Sequence, residues 1–256
     1  MTLNVIGSSS EGNAYVLQNA GEALLLEAGV SFKKVLPALD YDVSKVQGVL
    51  ITHEHGDHAG HVGEVLSYGL PVYATAGTIE GLQKFISKTD YQPTPIPGSC
   101  ENGNGYFAFK LGRFTVIPFP TQHDANEPTG FYIWHEETGG ILFATDTFYL
   151  KNRFAGLSNI LIECNYDPDK LEANLIAGNI DAERYRRVKR SHLSYYTCLE
   201  CLQANDLSAV NNIVLIHLSK DNGDAIAFRE GIARATGKTV TIAKPGLELK
   251  FNKTPF

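Results

Sequence analysis

The sequence predicts an α/β fold in which two β-sheets pack against each other with helices outside. Short apolar runs typical of strands alternate with fewer, scattered helical segments along the 256 residues. A Pro- and Gly-rich loop at residues 89–105 divides the chain into two halves. The hydrophobic content of 43% and charged content of 20% are those of a globular protein with a sizeable core.

Strands are predicted where apolar and β-branched runs are bounded by turn-forming residues. In chain order they are residues 3–6, 14–17, 23–27, 46–52, 71–74, 107–111, 114–118, 130–134, 141–144, 160–163, 213–217 and 239–242. Helices are predicted where apolar residues recur at helical spacing. They lie near residues 32–39, 60–66, 78–87, 171–176, 195–205 and 224–235. This excess of strands over helices favours two packed sheets.

Three histidines and a carboxylate (His53, His55, Asp57 and His58) lie close together after the predicted strand 46–52. Imidazole nitrogens and carboxylate oxygens are ligands that zinc and similar divalent ions prefer. His53 and His55 face one side of an extended backbone. Gly56 allows a tight turn before a short helix predicted at 59–68, so the next two side chains face a second point. The spacing suits two metal ions about 3.5–4 Å apart.

The alternative is a polar surface loop that contains several histidines by chance. Histidine is scarce, with eight in the whole chain, and three of them fall in this segment. A metal site is therefore favoured. Its position, in a loop at the carboxyl end of a strand, is where open α/β sheets bind ligands.

Four more titratable residues follow predicted strands or precede a helix: His123, Asp146, His192 and His217. An unpaired carboxylate or imidazole at the end of a buried strand costs several kcal/mol (order of magnitude), which bound metal would offset. For each residue alone, a hydrogen-bonded structural role is as good an explanation. Together with the histidine cluster, metal ligation is favoured for His123, Asp146 and His217.

The order HxHxDH, then His, Asp and His, each after a strand, resembles the metallo-β-lactamase superfamily nearly from end to end. Further matching segments are residues 7–13, 25–31, 123–125, 144–147, 163–167, 191–194 and 217–219. Within the superfamily the motifs are most similar to YycJ/WalJ-type proteins, with ribonuclease Z as a more distant relative. The resemblance implies a four-layer αββα sandwich, formed by a single hydrolase domain over residues 1–256 with two pseudo-equivalent halves.

The resemblance also implies a ligand set and two divalent metal ions, zinc or manganese, with iron not excluded by site affinity. His53, His55 and His123 would hold one ion, Asp57, His58 and His217 the other, and Asp146 would bridge both. A metal-bridging hydroxide would then be the nucleophile, because two divalent ions lower the pKa of a shared water towards ~7.

An acid is needed to protonate an alkoxide that leaves a phosphodiester. His192 is the candidate acid, because ribonuclease Z-like enzymes have a similarly placed His–x–Ser/Thr motif. Glu163 matches the glutamate that orients that imidazole, and together with Asp57 these residues form the expected catalytic set. The alternative is that Ser191 and His192 only cap a helix. The chain departs from the family pattern at Glu27, because proteins of the family that it resembles usually carry Asp at this position.

A basic stretch leads into His192 and could follow a nucleic-acid backbone into the site. Its cations are Arg184, Arg186, Arg187, Lys189 and Arg190. The alternative is a solvated charged face. The net charge of −6 means that any attraction for a polyanion must be local or come through metal.

The function predicted is a dinuclear metal-dependent phosphodiesterase, and in particular a nuclease such as an exonuclease. Exonuclease or endonuclease action, and DNA or RNA as substrate, are both left open. The alternatives are a small-molecule hydrolase on the same site (cyclic phosphodiesterase, thioesterase or lactonase) and a non-catalytic metal-stabilised binding module. Four cysteines do not suggest a disulfide framework. The first residues lack a signal-like pattern and no run approaches the ~18 apolar residues of a membrane span. We therefore expect a cytoplasmic protein with no membrane partner.

Overall fold

The computed structural model describes residues 1–86, 90–99 and 105–254. Its strands are β1 Thr2–Gly7, β2 Ala14–Gln18, β3 Ala23–Leu26, β4 Val46–Leu50, β5 Val72–Ala74, β6 Thr94–Pro95, β7 Gly98–Ser99, β8 Gly105–Tyr106, β9 Phe109–Leu111, β10 Phe114–Pro120, β11 Thr129–His135, β12 Gly139–Ala144, β13 Leu157–Glu163, β14 Asn212–Ile216, β15 Thr239–Ile242 and β16 Leu247–Lys250. Its α-helices are α1 Gly56–Ala59, α2 Val62–Ser67, α3 Ala76–Ile86, α4 Pro168–Ile176, α5 Ala182–Ser191, α6 Tyr195–Gln203 and α7 Ala225–Thr236. Short 3-10 helices lie at Phe32–Lys34, Leu36–Leu39 and Val43–Lys45.

Within the described ranges, most strands belong to two large mixed sheets. The first has the order β16-β1-β2-β3-β4-β5-β6, and the second has the order β15-β14-β13-β12-β11-β10-β9. In the first sheet the antiparallel strands β1 to β3 lead into parallel strands β3 to β6. In the second, antiparallel strands β9 to β12 lead into parallel strands β12 to β15. The same pairing pattern thus occurs twice, and β16 returns from the second sheet to the first.

Each sheet buries both of its faces, which explains why its central strands are almost continuously apolar. Along β13 the side chain of Leu161 enters the core between the two sheets. Its neighbours Ile160 and Ile162 enter the core beneath the helices. Successive side chains on a strand point to opposite faces, so one apolar run serves both layers.

Helices cover the outer face of each sheet. The first sheet packs against α2 and α3 through residues such as Val65 and Leu82. The second sheet packs against α6 and α7 through residues such as Leu202 and Phe228. The layers are therefore helix, sheet, sheet and helix, which confirms the predicted αββα sandwich.

Two predicted helices near the first half of the site differ from the structure. The segment predicted as one helix at 32–39 is two 3-10 turns, because Pro37 has no amide hydrogen to continue an α-helical ladder. The helix predicted at 59–68 is α2, and a separate helix α1 begins at Gly56 with His55 as its N-cap. Asp57 and His58 consequently lie on a helical turn and not in a loop.

The prediction missed helix α5 and strand β16. The helix has only two buried residues, Val188 and Ser191, so it carries almost no apolar period. The end of the helix predicted at 78–87 and the 100–104 part of the predicted loop lie outside the described residues. Of the helices in the described part of the chain, none has the length and apolar character needed to cross a membrane.

Candidate metal centre and active site

The titratable residues gather at one rim of the two sheets because several strands end there. Strands β12, β13 and β14 are parallel neighbours, so their carboxyl ends share an edge. Three residues that follow strand ends have a left-handed backbone: Glu27 with φ 67°, Asp146 with φ 46° and His217 with φ 53°. Such conformations are costly for non-glycine residues and concentrate at functional sites. Here they turn the chain at the rim directly after β3, β12 and β14.

Three imidazoles and a carboxylate form the first group of possible ligands: His53, His55, His123 and Asp146. Nδ1 of His55 lies 3.1 Å from Nε2 of His53 and 3.1 Å from Nε2 of His123. Oδ2 of Asp146 lies 3.7 Å from Nε2 of His53 and 3.5 Å from Nε2 of His123. The sequence predicts that these residues meet, and the structure brings them together.

The imidazole rings of His53 and His123 each form a hydrogen bond through Nδ1, on the side away from the first ligand group. These bonds determine that Nε2 of each ring faces the group. The Thr52 hydroxyl donates to Oε1 of Glu27 at 2.6 Å, so it accepts from Nδ1 of His53 at 2.9 Å. Nδ1 of His123 donates to the Ser191 carbonyl at 2.9 Å. Burial lowers the pKa of both imidazoles, despite the opposing charge of Asp146. The lowered pKa favours the neutral form of both rings, and the hydrogen bonds at Nδ1 leave an unprotonated Nε2 towards the group, as a metal ligand requires.

The second group consists of Asp57, His58 and His217, beside Asp146. Oδ2 of Asp57 lies 3.3 Å from Nε2 of His58 and 3.2 Å from Nε2 of His217. Asp146 reaches this group as well, with Oδ2 3.4 Å from Nε2 of His58 and Oδ1 3.3 Å from Nδ1 of His217. One carboxylate therefore lies between the two groups.

The second group lies in a strongly negative environment. Burial alone would lower the pKa of His217, but the charge of Asp146 and the hydrogen bonds that the ring donates to Asp57 and Glu163 outweigh it and raise the pKa to about 10. Burial would likewise raise the pKa of Asp57, yet hydrogen bonds from His217 and His58 hold it far below its usual range. An electrostatic field that attracts protons this strongly attracts divalent cations for the same reason.

The donor set fits divalent metal ions. The unprotonated Nε2 atoms of His53 and His123 both lie next to Nδ1 of His55. That nitrogen carries at most one proton, so it cannot donate a hydrogen bond to both of them. A cation placed among these nitrogens would satisfy all three lone pairs, and neutral imidazole with carboxylate is a ligand combination used by zinc and other divalent ions. The described residues can therefore hold metal at this rim.

Buried neighbours support the histidine loop. The Asp57 carbonyl accepts from the backbone N–H of Asn13 at 2.8 Å and from its Nδ2 at 3.2 Å. Gly29 lies so close to that carbonyl that a Cβ atom would be 1.7 Å from the oxygen, so no side chain fits there. Oε1 of Glu27 lies 3.4 Å from Nδ1 of His58, in addition to its bond with Thr52. The sequence analysis did not predict a role for Asn13.

The Glu163–His192 pair adjoins the second group. Nδ1 of His192 lies 2.6 Å from Oε1 of Glu163, whose other oxygen accepts from the backbone N–H of Leu193 at 3.1 Å. Burial alone would lower the pKa of His192, but the charge and hydrogen bond of Glu163 outweigh it and raise the pKa. The cap at the start of α6 is Ser194, which accepts from the N–H of Thr197. The alternative role of His192 as a helix cap is met at the end of α5, where its backbone N–H donates to the Val188 carbonyl at 3.1 Å. His192 itself follows the last residue of α5 and lines the pocket of the metal groups.

The basic stretch forms helix α5, and its cations divide into two sets. Arg186, Arg187 and Arg190 line a groove of about 680 Å³, which we call the arginine groove. Arg187 also lines the pocket of the metal groups, so the groove and the pocket adjoin each other. Of the other two cations, Arg184 pairs with Asp221 at 3.5 Å, and Lys189 lies over the ring of Tyr185.

Comparisons with known proteins give a consistent family. Residues 15–218 match the model of the beta-lactamase superfamily domain. The chain is 29% identical over 229 residues to exodeoxyribonuclease WalJ of Streptococcus pneumoniae, covering 86% of this chain and 82% of that protein. It is 29% identical over 235 residues to exodeoxyribonuclease YycJ of Bacillus anthracis, covering 86% and 83%. Among solved structures, the metallo-β-lactamase fold protein YhfI from Bacillus subtilis superimposes with a TM-score of 0.71, over 97% of this chain and 98% of that chain, at 18% identity.

Proposed function

The chain belongs to the metallo-β-lactamase superfamily and is a metal-dependent hydrolase of ester bonds, and we propose that its substrate is a nucleic-acid phosphodiester. The observation that carries the proposal is the Glu163–His192 hydrogen bond of 2.6 Å beside the metal groups. Acyl substrates with good leaving groups do not need such an acid, whereas an alkoxide leaving a phosphodiester does. Exodeoxyribonucleases among the relatives favour DNA and exonuclease action.

We assign two divalent ions to the centre, zinc or manganese. His53, His55 and His123 would hold one ion, and Asp57, His58 and His217 the other, with Asp146 between them. When bound, the ions supply Lewis acidity, which lowers the pKa of water and offsets negative charge on the phosphate oxygens.

His192 would act as the general acid. Its Nδ1–H donates to Glu163, which fixes the ring and leaves Nε2 free to donate a proton towards the pocket. The raised pKa of His192, caused by the charge of Glu163 against the opposing effect of burial, favours the protonated form at neutral pH. Glu163 is therefore a positioning residue, and its second oxygen is occupied by the backbone N–H of Leu193.

Asp57 would have a second role besides ligation. Its side chain is 24% exposed, the most open of the carboxylates in the two metal groups. Its pKa is held far below the usual range by His217 and His58, against the opposing effect of burial, so it stays ionised and can orient the attacking water by accepting a hydrogen bond.

A substrate panel tests the proposal. The protein is stripped with a chelator, then manganese and zinc are each added back with single-stranded DNA, double-stranded DNA, RNA and bis-p-nitrophenyl phosphate. Lactone and thioester probes complete the panel. We expect metal-dependent turnover of phosphodiesters. Turnover of the lactone or thioester probes alone would reject a phosphodiester substrate, and no turnover with metal bound would favour a binding module.

Removal of the proposed acid provides the first prediction. His192→Ala should retain both metals and slow DNA hydrolysis by about 10²–10⁴-fold. Bis-p-nitrophenyl phosphate should lose much less activity, because its phenolate leaves without a proton. Metal content is measured by elemental analysis on the same samples.

The control for this variant is His61→Ala, which alters a 39% exposed histidine paired with Glu64 outside the centre. It should leave both activities unchanged. Loss of metal from His192→Ala would instead identify His192 as a ligand, and equal losses on both substrates would reject its role as acid.

A further inference from the structure

An exposed aromatic side chain lines the same groove as the arginines. Phe148 lies two residues after Asp146, is 41% exposed and lines the arginine groove together with residues of helix α5. A single exposed aromatic residue is unremarkable by itself. Here it shares one cavity with three arginines, next to a centre suited to phosphodiester hydrolysis.

We propose that the arginine groove binds one unpaired nucleic-acid strand, with a base stacked on Phe148 and phosphates on Arg186, Arg187 and Arg190. This role rests on the nuclease function proposed above. It adds that the nucleic acid is single-stranded where it approaches the metal centre. Basic grooves with aromatic side chains bind single strands in this way, because every base has a face that can stack.

The groove favours an unpaired strand over an intact duplex. Bases within a duplex are already stacked on both sides and turn only their edges outward, so away from the duplex ends Phe148 has no base face to contact unless the strand is open. The chain carries a net charge of −6, so phosphate attraction must come from local cations. Three arginines outnumber the two carboxylates of the groove lining, Glu183 and Asp124.

The backbone holds Phe148 at a fixed place relative to the metal groups. The N–H of Phe148 donates to the Gln122 carbonyl at 3.1 Å, and the N–H of Gln122 donates to the Thr147 hydroxyl at 2.9 Å. Gln122 directly precedes His123. A base stacked on Phe148 would therefore be held at a constant distance from the centre, which is what positions one phosphodiester for cleavage.

Binding to metal-free protein tests the inference separately from catalysis. Affinity for a fluorescent single-stranded DNA oligonucleotide is measured by anisotropy in excess chelator, for wild type and for Phe148→Ala, Phe148→Leu and Phe148→Tyr. We expect Phe148→Ala to bind about 5- to 150-fold more weakly. Phe148→Leu should be weakened as well, because it retains bulk but has no aromatic face, whereas Phe148→Tyr should bind like wild type.

The matched control is Tyr149→Ala, which removes the neighbouring aromatic side chain, 45% exposed and outside the groove lining. It should leave binding unchanged. Wild-type affinity in Phe148→Ala, or in Phe148→Leu, would overturn the inference. So would equal affinity of wild type for the single strand and for a blunt duplex of the same sequence.

Hydrolysis by the metal-loaded wild type keeps the two proposals distinguishable. Turnover of DNA with no effect of Phe148→Ala on single-strand binding would leave the proposed function in place and reject the stacking role. Tight, Phe148-dependent binding without turnover of any phosphodiester would reject the proposed function and retain the strand-binding groove.

Discussion

Glu27 shows how a single residue can support the histidine loop from behind. It follows β3 with a left-handed backbone, and it accepts from the Thr52 hydroxyl at 2.6 Å and from the Thr52 N–H at 3.3 Å. Its Oε1 lies 3.4 Å from Nδ1 of His58. Glutamate at this position reaches both Thr52 and His58 and so serves both metal groups.

Neutralising this carboxylate should weaken metal binding without removing a ligand. Glu27→Gln is expected to lower affinity by about 10- to 100-fold, because partners that orient ligating histidines contribute on that scale. Affinity is measured by competition with a chromophoric chelator. Glu11→Gln, which changes an exposed glutamate paired with Lys220, is the control and should bind metal like wild type. Unchanged metal affinity in Glu27→Gln would show that the charge of Glu27 does not contribute to metal binding.

At the scale of a single element, helix α5 connects the arginine groove to the metal centre. Asp181 begins the helix by accepting from the N–H of Arg184, and the Ser191 carbonyl at its other end accepts from His123. Cations therefore line one face of the helix, while its last residue orients a proposed ligand. This helix was not predicted from the sequence, because it is strongly polar and has almost no apolar residues at helical spacing.

Two cations on this helix provide a matched electrostatic test. Arg190→Gln should weaken DNA binding and reduce the slope of log affinity against log salt by about 0.7–0.9, the contribution of one phosphate contact. Lys189→Gln removes a neighbouring charge that lies over Tyr185 and should leave the slope unchanged. Affinities are measured from 50 to 300 mM salt (about 0.8 of a decade). Equal slopes for wild type and Arg190→Gln would mean that the groove does not contact phosphate.

At the scale of the whole molecule, the two sheets are joined at both rims. One junction is the metal centre, and the other is an ion cluster at the opposite rim. Glu22, in the turn before β3, accepts from Nε of Arg113 at 2.6 Å and from its backbone N–H at 3.1 Å. Nε2 of His135, at the end of β11, lies 3.1 Å from the same carboxylate. Glu22 belongs to the first sheet and its partners to the second, so this ion cluster ties the two sheets together.

This cluster should make stability depend on pH. Burial alone would raise the pKa of Glu22, but hydrogen bonds from Arg113 and His135 outweigh it and lower the pKa. A carboxyl with a lowered pKa stabilises the fold above its unfolded-state value of about 4.3, and that contribution is lost as the pH falls through the folded-state pKa. Glu22→Gln should therefore cost about 1–3 kcal/mol at pH 7 (order of magnitude).

The comparison is made by urea unfolding of metal-free protein between pH 7 and pH 3 (roughly spanning the carboxyl titration). The difference between wild type and Glu22→Gln should shrink below about pH 4. Glu136→Gln removes an exposed partner of Arg113 and should change little at any pH. A difference that stays constant across this range would exclude the Glu22 charge as its source.

The sequence by itself determined the fold class and most of the residues that meet at the rim. Apolar runs marked nearly all central strands, because strands buried on both faces are mostly apolar. Polar residues directly after those runs marked the rim, because parallel strands end at a common edge. The order of His53 to His58, His123, Asp146 and His217 was enough to expect a divalent metal centre, and the structure places these side chains within contact distance.

Only the tertiary structure decided which partners those residues have. The bond between Glu163 and His192 joins residues 29 positions apart, and that from His123 to Ser191 joins residues 68 apart. Neither distance follows from local spacing. Likewise Phe148 has no sequence signal beyond its nearness to Asp146, since its proposed role depends on the arginines with which the fold makes it line one groove. Local pattern determines where a strand ends, but packing determines what each end faces.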